Sequence, residues 1–163
     1  MPIAQESPGR DGLLAHNARA WDRLAEGRAA LAVPAGDEAF ADPRSWLGGG
    51  GTPGRGWLPA RFDGLDVLCL AAGGGKHGPL YAAAGGRVTV FDLSPAMLEL
   101  DRQVARERRI DLRIVQGSMD DLSALPRGFY DLVIHPVSTC YVADVGRVFR
   151  EVARVTKPGG IYV

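Results

Sequence analysis

The residues whose types and spacing carry the most chemistry lie in AAGGGKHG (71–78). Glycine has no Cβ, so Gly73, Gly74 and Gly75 let a chain leaving a strand turn tightly and bring its backbone against a ligand. Gly73, Gly75 and Gly78 satisfy GxGxxG, and Asp92 closes the next apolar run, where a carboxylate accepts hydrogen bonds from ribose hydroxyls. In a chain with 22 glycines the spacing alone is a weak signal. Placed after a strand, before a helix and with Asp92 in register, it points to a cofactor that contains adenosine. The bland alternative is a plain strand-to-helix turn, with Asp92 only capping the next helix.

Other reactive side chains are scattered. His135 ends an apolar run, YDLVIH (130–135), and stands either as a proton acceptor at a pocket edge or as a packed core histidine. Lys76 and His77 follow the glycines and are either ligand contacts or exposed loop residues. Arg102, Arg106, Arg108, Arg109 and Arg113 interleave with Glu99, Asp101, Glu107 and Asp111, which reads as a solvated helix face. Cys69 and Cys140 show no CxxC spacing, so neither a zinc site nor a disulfide framework is expected. HExxH, P-loop and Ser/His/Asp patterns are missing from the sequence.

The elements that must position these residues are regular after residue 60. DVLCL (66–70), RVTVF (87–91), LRIV (112–115), YDLVIH (130–135) and GGIYV (159–163) are short apolar runs suited to strands covered on both faces. Helical patterns lie between them. Pro79 and Gly85-Gly86 bracket one; Ser94-Pro95 opens another; Val145, Val148, Phe149, Val152 and Val155 mark a third, stopped by KPGG (157–160). Alternating strands and helices predict an α/β domain with a doubly wound, mostly parallel sheet. Ahead of it, a helix is expected over about 13–31, then a Pro/Gly-rich linker whose 48–56 stretch, GGGGTPGRG, should hold no regular element. The expected division is therefore 1–59 and 60–163.

Composition narrows the class. The chain has 163 residues, with 19 basic and 19 acidic side chains, so it lacks the surplus positive charge of a dedicated nucleic-acid binder. It shows neither a signal peptide nor an apolar run long enough to span a bilayer, so a cytoplasmic protein without a membrane partner is expected.

Taken together, five motifs in order resemble the class I S-adenosylmethionine-dependent methyltransferases, over about residues 64–163. They are VLCLAAGGGKHG, RVTVFDLSPAMLELDR, IVQGSMDDLS, FYDLVIHPVSTCYV and EVARVTKPGGIYV; NARAWDRLAEG (17–27) is similar to the lid helix of many such enzymes. The resemblance implies a Rossmann-like sheet with helices on both faces, preceded by a helical lid. It implies S-adenosyl-L-methionine held by Ala71, Ala72, Gly73, Gly75, Asp92, Leu93, Ser94, Gly117, Ser118 and Met119, with Trp21 from the lid or as a core anchor. His135 would be the catalytic candidate, and the partner a small-molecule methyl acceptor.

This sequence departs from the family pattern at Cys69 and Ser118, positions that often carry acids. It also reaches its last residue, Val163, within the fifth strand of the pattern, which implies an incomplete sheet and an edge open to a homodimer. Two other readings stand beside methyl transfer: a nicotinamide-dependent oxidoreductase sharing GxGxxG and Asp92, and a fragment or pseudoenzyme that binds the cofactor without catalysis.

Overall fold

A computed structural model describes residues 9–49 and 58–163. Its centre is DVLCL, which forms β1 (Asp66–Leu70) with every residue buried. Side chains alternate across a strand, so Val67 and Cys69 enter one core cluster while Leu68 and Leu70 enter the other. A strand apolar on both faces must be covered on both, and the chain supplies the covers. α4 (His77–Ala83) and α5 (Pro95–Arg108) bury Leu80, Tyr81 and Leu98 in the first cluster. α6 (Val145–Val155) buries Val148, Val152 and Val155 in the second. Each fully buried Val or Leu contributes roughly 1.5–3 kcal/mol.

The sheet is wholly parallel, in the order β3-β2-β1-β4-β5, with β2 at Arg87–Asp92, β3 at Arg113–Gln116, β4 at Tyr130–Ile134 and β5 at Thr156–Tyr162. β1 pairs with β2 on one side and β4 on the other, so strand order reverses beside it. The doubly wound α/β expectation is met. The alternation is not complete, because residues 117–129 between β3 and β4 form turns rather than a helix. That segment covers the sheet with Met119, Leu122 and Leu125 instead.

Several boundaries differ from the sequence pattern. The first helix, α1, spans Arg10–Glu26, not 13–31; Gly27 and Arg28, the latter at φ +50°, turn the chain away, and a 3₁₀ turn follows at Ala30–Ala32. The presumed linker contains α2 (Asp37–Ala41) and α3 (Pro43–Gly49), which bury Ala39 and Leu47 against the α4 side of the sheet. Gly48 and Gly49 therefore close a helix, and the rest of 48–56 lies outside the described residues. KPGG ends α6 but also opens β5: pairing shifts from Tyr130↔Thr156 to Leu132↔Ile161, and Gly159, at φ +78°, lies within the intervening bulge.

The amino ends of β1, β4 and β5 are tied by charge. Asp66 receives two hydrogen bonds from Arg87, at 2.8 and 2.9 Å, and one from Lys157 at 3.2 Å, while Lys157 also reaches Asp131 at 2.9 Å. The hydrogen-bonded Arg87 guanidinium holds the Asp66 carboxyl below its usual range despite its burial. A carboxyl lowered on folding contributes stability above its ordinary pKa, and that contribution is lost as pH falls through the folded value. Asp66→Ala is therefore expected to cost about 2 kcal/mol in urea unfolding at pH 7, and much less at pH 3. An equal penalty at both values would separate its effect from the ion pairs.

Candidate active site

The carboxyl ends of all five strands share one edge, and the chain leaves β1 there through residues 71–76. Ala71 takes a left-handed conformation at φ +47°, fixed by its N–H donating to the Phe91 carbonyl at 2.7 Å. Gly73 stands at a close approach: a Cβ there would lie 3.1 Å from the Asp92 carboxyl carbon. Its N–H instead donates to Asp92 Oδ2 at 2.9 Å, and Ser94 N–H donates to Asp92 Oδ1 at 2.9 Å. Burial pushes the Asp92 carboxyl up, against these backbone bonds.

Ser94 caps α5, its Oγ accepting from Met97 N–H at 3.0 Å. The same hydroxyl donates to Asp22 of α1 at 2.6 Å. Beyond β3, a Cβ on Gly117 would collide with the Phe91 ring, so only glycine passes there. Ser118 follows, and its Oγ donates to Asp120 Oδ1 at 2.6 Å. Asp120 in turn receives both prongs of Arg10 at 2.9 Å, which hold its carboxyl below the usual range.

These elements enclose a cavity of about 260 Å³. Ala71, Ala72, Gly73, Asp92 and Leu93 form one part of its wall, and Gly117, Ser118 and Met119 another. α1 contributes Leu14, Asn17 and Trp21, while Val137, Ser138 and Tyr141 come from the loop after β4. Trp21 meets Tyr141 edge to face at 5.7 Å, and Asn17 Nδ2 donates to the Tyr141 carbonyl at 2.8 Å. The helix read as a lid thus rests on the ends of β2, β3 and β4 through Asp22, Arg10 and Asn17.

Of the residues singled out in the sequence, Gly75 and Ser94 stand behind this wall, and Trp21, Lys76 and His77 lie on it. Burial, and the charge of Lys76 beside it, lower the His77 pKa from its ordinary value. His135 is not brought to the cavity. Its Nδ1 lies 2.9 Å from the Tyr162 hydroxyl, its Nε2 is buried without a partner, and burial lowers its pKa to about 4. Asp101 departs furthest from expectation: read as part of a solvated face, it is fully buried beneath the glycine loop. Spacing in the sequence does not distinguish Tyr141, and Arg10 carries no signal there. Among the described residues no cluster of three metal-ligating side chains occurs.

The donor set suits an adenosine-containing group. A carboxylate offers four lone-pair sites, so Asp92 can bind two backbone N–H groups and still face ribose hydroxyls. Ser118, its proton committed to Asp120, is left as an acceptor beside Leu93 and Met119. Of the glycine run, Gly73 lines the cavity, after Ala71 and Ala72.

Residues 68–163 match the family model described as methyltransferase domain. The chain is 38% identical over 158 residues to the uncharacterized methyltransferase YbaJ of Bacillus subtilis, covering 94% of this chain and 62% of that protein. It is similar, at 32% identity and a TM-score of 0.59, to an arsenic(III) S-adenosylmethionine methyltransferase from Chlamydomonas reinhardtii, over 64% of this chain and 39% of that one. The fold is shared with phosphoethanolamine N-methyltransferase 1 of Haemonchus contortus, solved with phosphoethanolamine and S-adenosylhomocysteine. There the TM-score is 0.71 at 16% identity, over 95% of this chain and 32% of that one. The chain thus spans less than two thirds of the length of these proteins. With the sheet order, the glycine loop and Asp92 in register, these likenesses place it in the class I S-adenosylmethionine-dependent methyltransferase family.

Proposed function

We propose that this chain binds S-adenosyl-L-methionine and transfers its methyl group to a small-molecule acceptor. The observation that carries this reading is Asp92, anchored by Gly73 and Ser94 N–H groups on the wall of a cavity that Trp21 and Tyr141 also line. When bound, the cofactor supplies a methyl carbon already activated by its sulfonium. The protein's work is then to hold and align. Asp92 binds the ribose hydroxyls, Ser118 and Met119 border the adenine, and residues 71–73 approach with their backbone. Trp21 and Tyr141, packed edge to face, cover the cavity and offer the acceptor an apolar wall. Correct alignment of two reactants supplies much of such a barrier reduction, so a dedicated base is not required.

His135 then serves packing. With Nδ1 beside Tyr162 and no place on the cavity wall, it cannot reach a substrate proton without rearrangement. The homodimer remains a separate proposal, and light scattering at tens of micromolar tests it.

Calorimetric titration tests the cofactor reading directly. S-adenosylhomocysteine should bind the wild-type protein, NAD should not, and Asp92→Ala should weaken binding about tenfold or more. Unchanged affinity in Asp92→Ala would remove that carboxylate from the site, and preferential binding of NAD would reverse the assignment. In any acceptor screen that yields turnover, His135→Asn should keep turnover within a few-fold of wild type. A loss of roughly a hundredfold with cofactor affinity intact would instead make His135 the base.

A further inference from the structure

Asp101 is a buried carboxyl that the cofactor reading does not use. It projects from α5 beneath the glycine loop with no solvent exposure. Its Oδ2 accepts from Gly74 N–H at 2.8 Å, a proton that Gly74 shares with the Met97 carbonyl at 3.1 Å. Its Oδ1 is buried without any partner and lies against Gly78, where a Cβ would stand 3.4 Å away. Burying an unpartnered carboxyl oxygen is costly, so its presence calls for a compensating role.

The loop it touches is the part of the site that most needs holding. Gly74 and Gly75 take left-handed conformations, at φ +114° and +72°, within a run of three glycines. Glycine pays the largest backbone entropy on ordering, and nothing in its own side chain restricts it. A second-strand helix reaching back with a carboxyl acceptor selects one arrangement from many.

We propose that Asp101 is a positioning residue for cofactor binding: by holding Gly74 N–H from below, it sets the turn from which the loop presents Gly73 to the ligand. This rests on the reading that the glycine loop holds S-adenosylmethionine. Burial raises the Asp101 carboxyl to about 7, with the Gly74 N–H bond opposing and Asp92 adding to the rise. At that value the carboxyl is part protonated near neutral pH, and asparagine, which keeps an acceptor oxygen without the charge, should replace it well. Leucine fills similar space but accepts nothing.

The experiment titrates S-adenosylhomocysteine into wild type, Asp101→Asn and Asp101→Leu, with thermal melting of each. Asp101→Asn should bind within about threefold of wild type, and folded Asp101→Leu should bind about tenfold more weakly or worse. A role confined to stability would lower the melting temperature and leave the affinity of the folded protein unchanged, which overturns the proposal. Should Asp101→Leu fail to fold, the Gly74 amide decides by NMR. In wild type it should be protected from exchange, and its resonance should move in Asp101→Asn. An amide that exchanges like an open loop, or that does not move, overturns the proposal. Absence of binding by wild type would instead overturn the cofactor reading beneath it.

Discussion

The rest of the site depends on the Asp92 carboxylate being fixed by two backbone donors from different segments. Gly73 N–H comes from the exit of β1 and Ser94 N–H from the start of α5. One side chain therefore sets the distance between the glycine loop and the next helix. It can do so because β1 and β2 pair in parallel over five residues, ending at Leu70↔Phe91, which delivers both exits to the same edge. Glycine at 73 eases the approach, since a Cβ would press on Met97 and Asp92 at 3.0 and 3.1 Å. Sheet register, glycine and carboxylate are thus one constraint seen at three levels.

Around that point the carboxyls accumulate. Asp22 touches the Ser94 hydroxyl and the Ala96 N–H, Asp101 holds Gly74, and the nearness of Asp22 helps raise Asp92, as that of Asp92 helps raise Asp101. Burying several acids together is unfavourable unless each finds donors. Here the donors are mainly backbone N–H groups at the loop and at the start of α5. Their orientation is paid for by the glycine turns and the Ser94 cap. The same arrangement leaves the outer lone pairs of Asp92 directed to whatever fills the cavity.

Much of this was legible in the sequence. Doubly apolar strands, Ser94-Pro95 and the glycine run are local signals, and their elements formed near the expected places. What escaped depends on pairs far apart in the chain. Arg10 with Asp120 and Asp22 with Ser94 join the first helix to distant loops, and single-sequence periodicity carries no record of either. Asp101 shares a helix with alternating charges, so its pattern matched a solvated face. Only the position of the glycine loop over that turn makes it a buried acceptor. α2 and α3 were hidden because five- and seven-residue helices, rich in Gly and Pro neighbours, form through packing on the sheet more than through propensity.

His135 shows how strand parity sets the surroundings of a side chain where position along the strand leaves them open. The carboxyl end of β4 is the right end for chemistry, and Pro136, Val137 and Ser138 do reach the cavity. Side chains alternate, however, and Val133 already belongs to the cluster covered by α6. Two residues on, His135 keeps that side, beside a Tyr162 whose ring meets Phe149 of α6 edge to face at 6.1 Å. There, an imidazole is kept neutral by burial and can bond through one nitrogen to the Tyr162 hydroxyl, tying the ends of β4 and β5 together. The chain turns towards the cavity only after it. The residue best placed in sequence to act as a base is therefore the last one of the wall's foundation, and the wall itself begins at the proline.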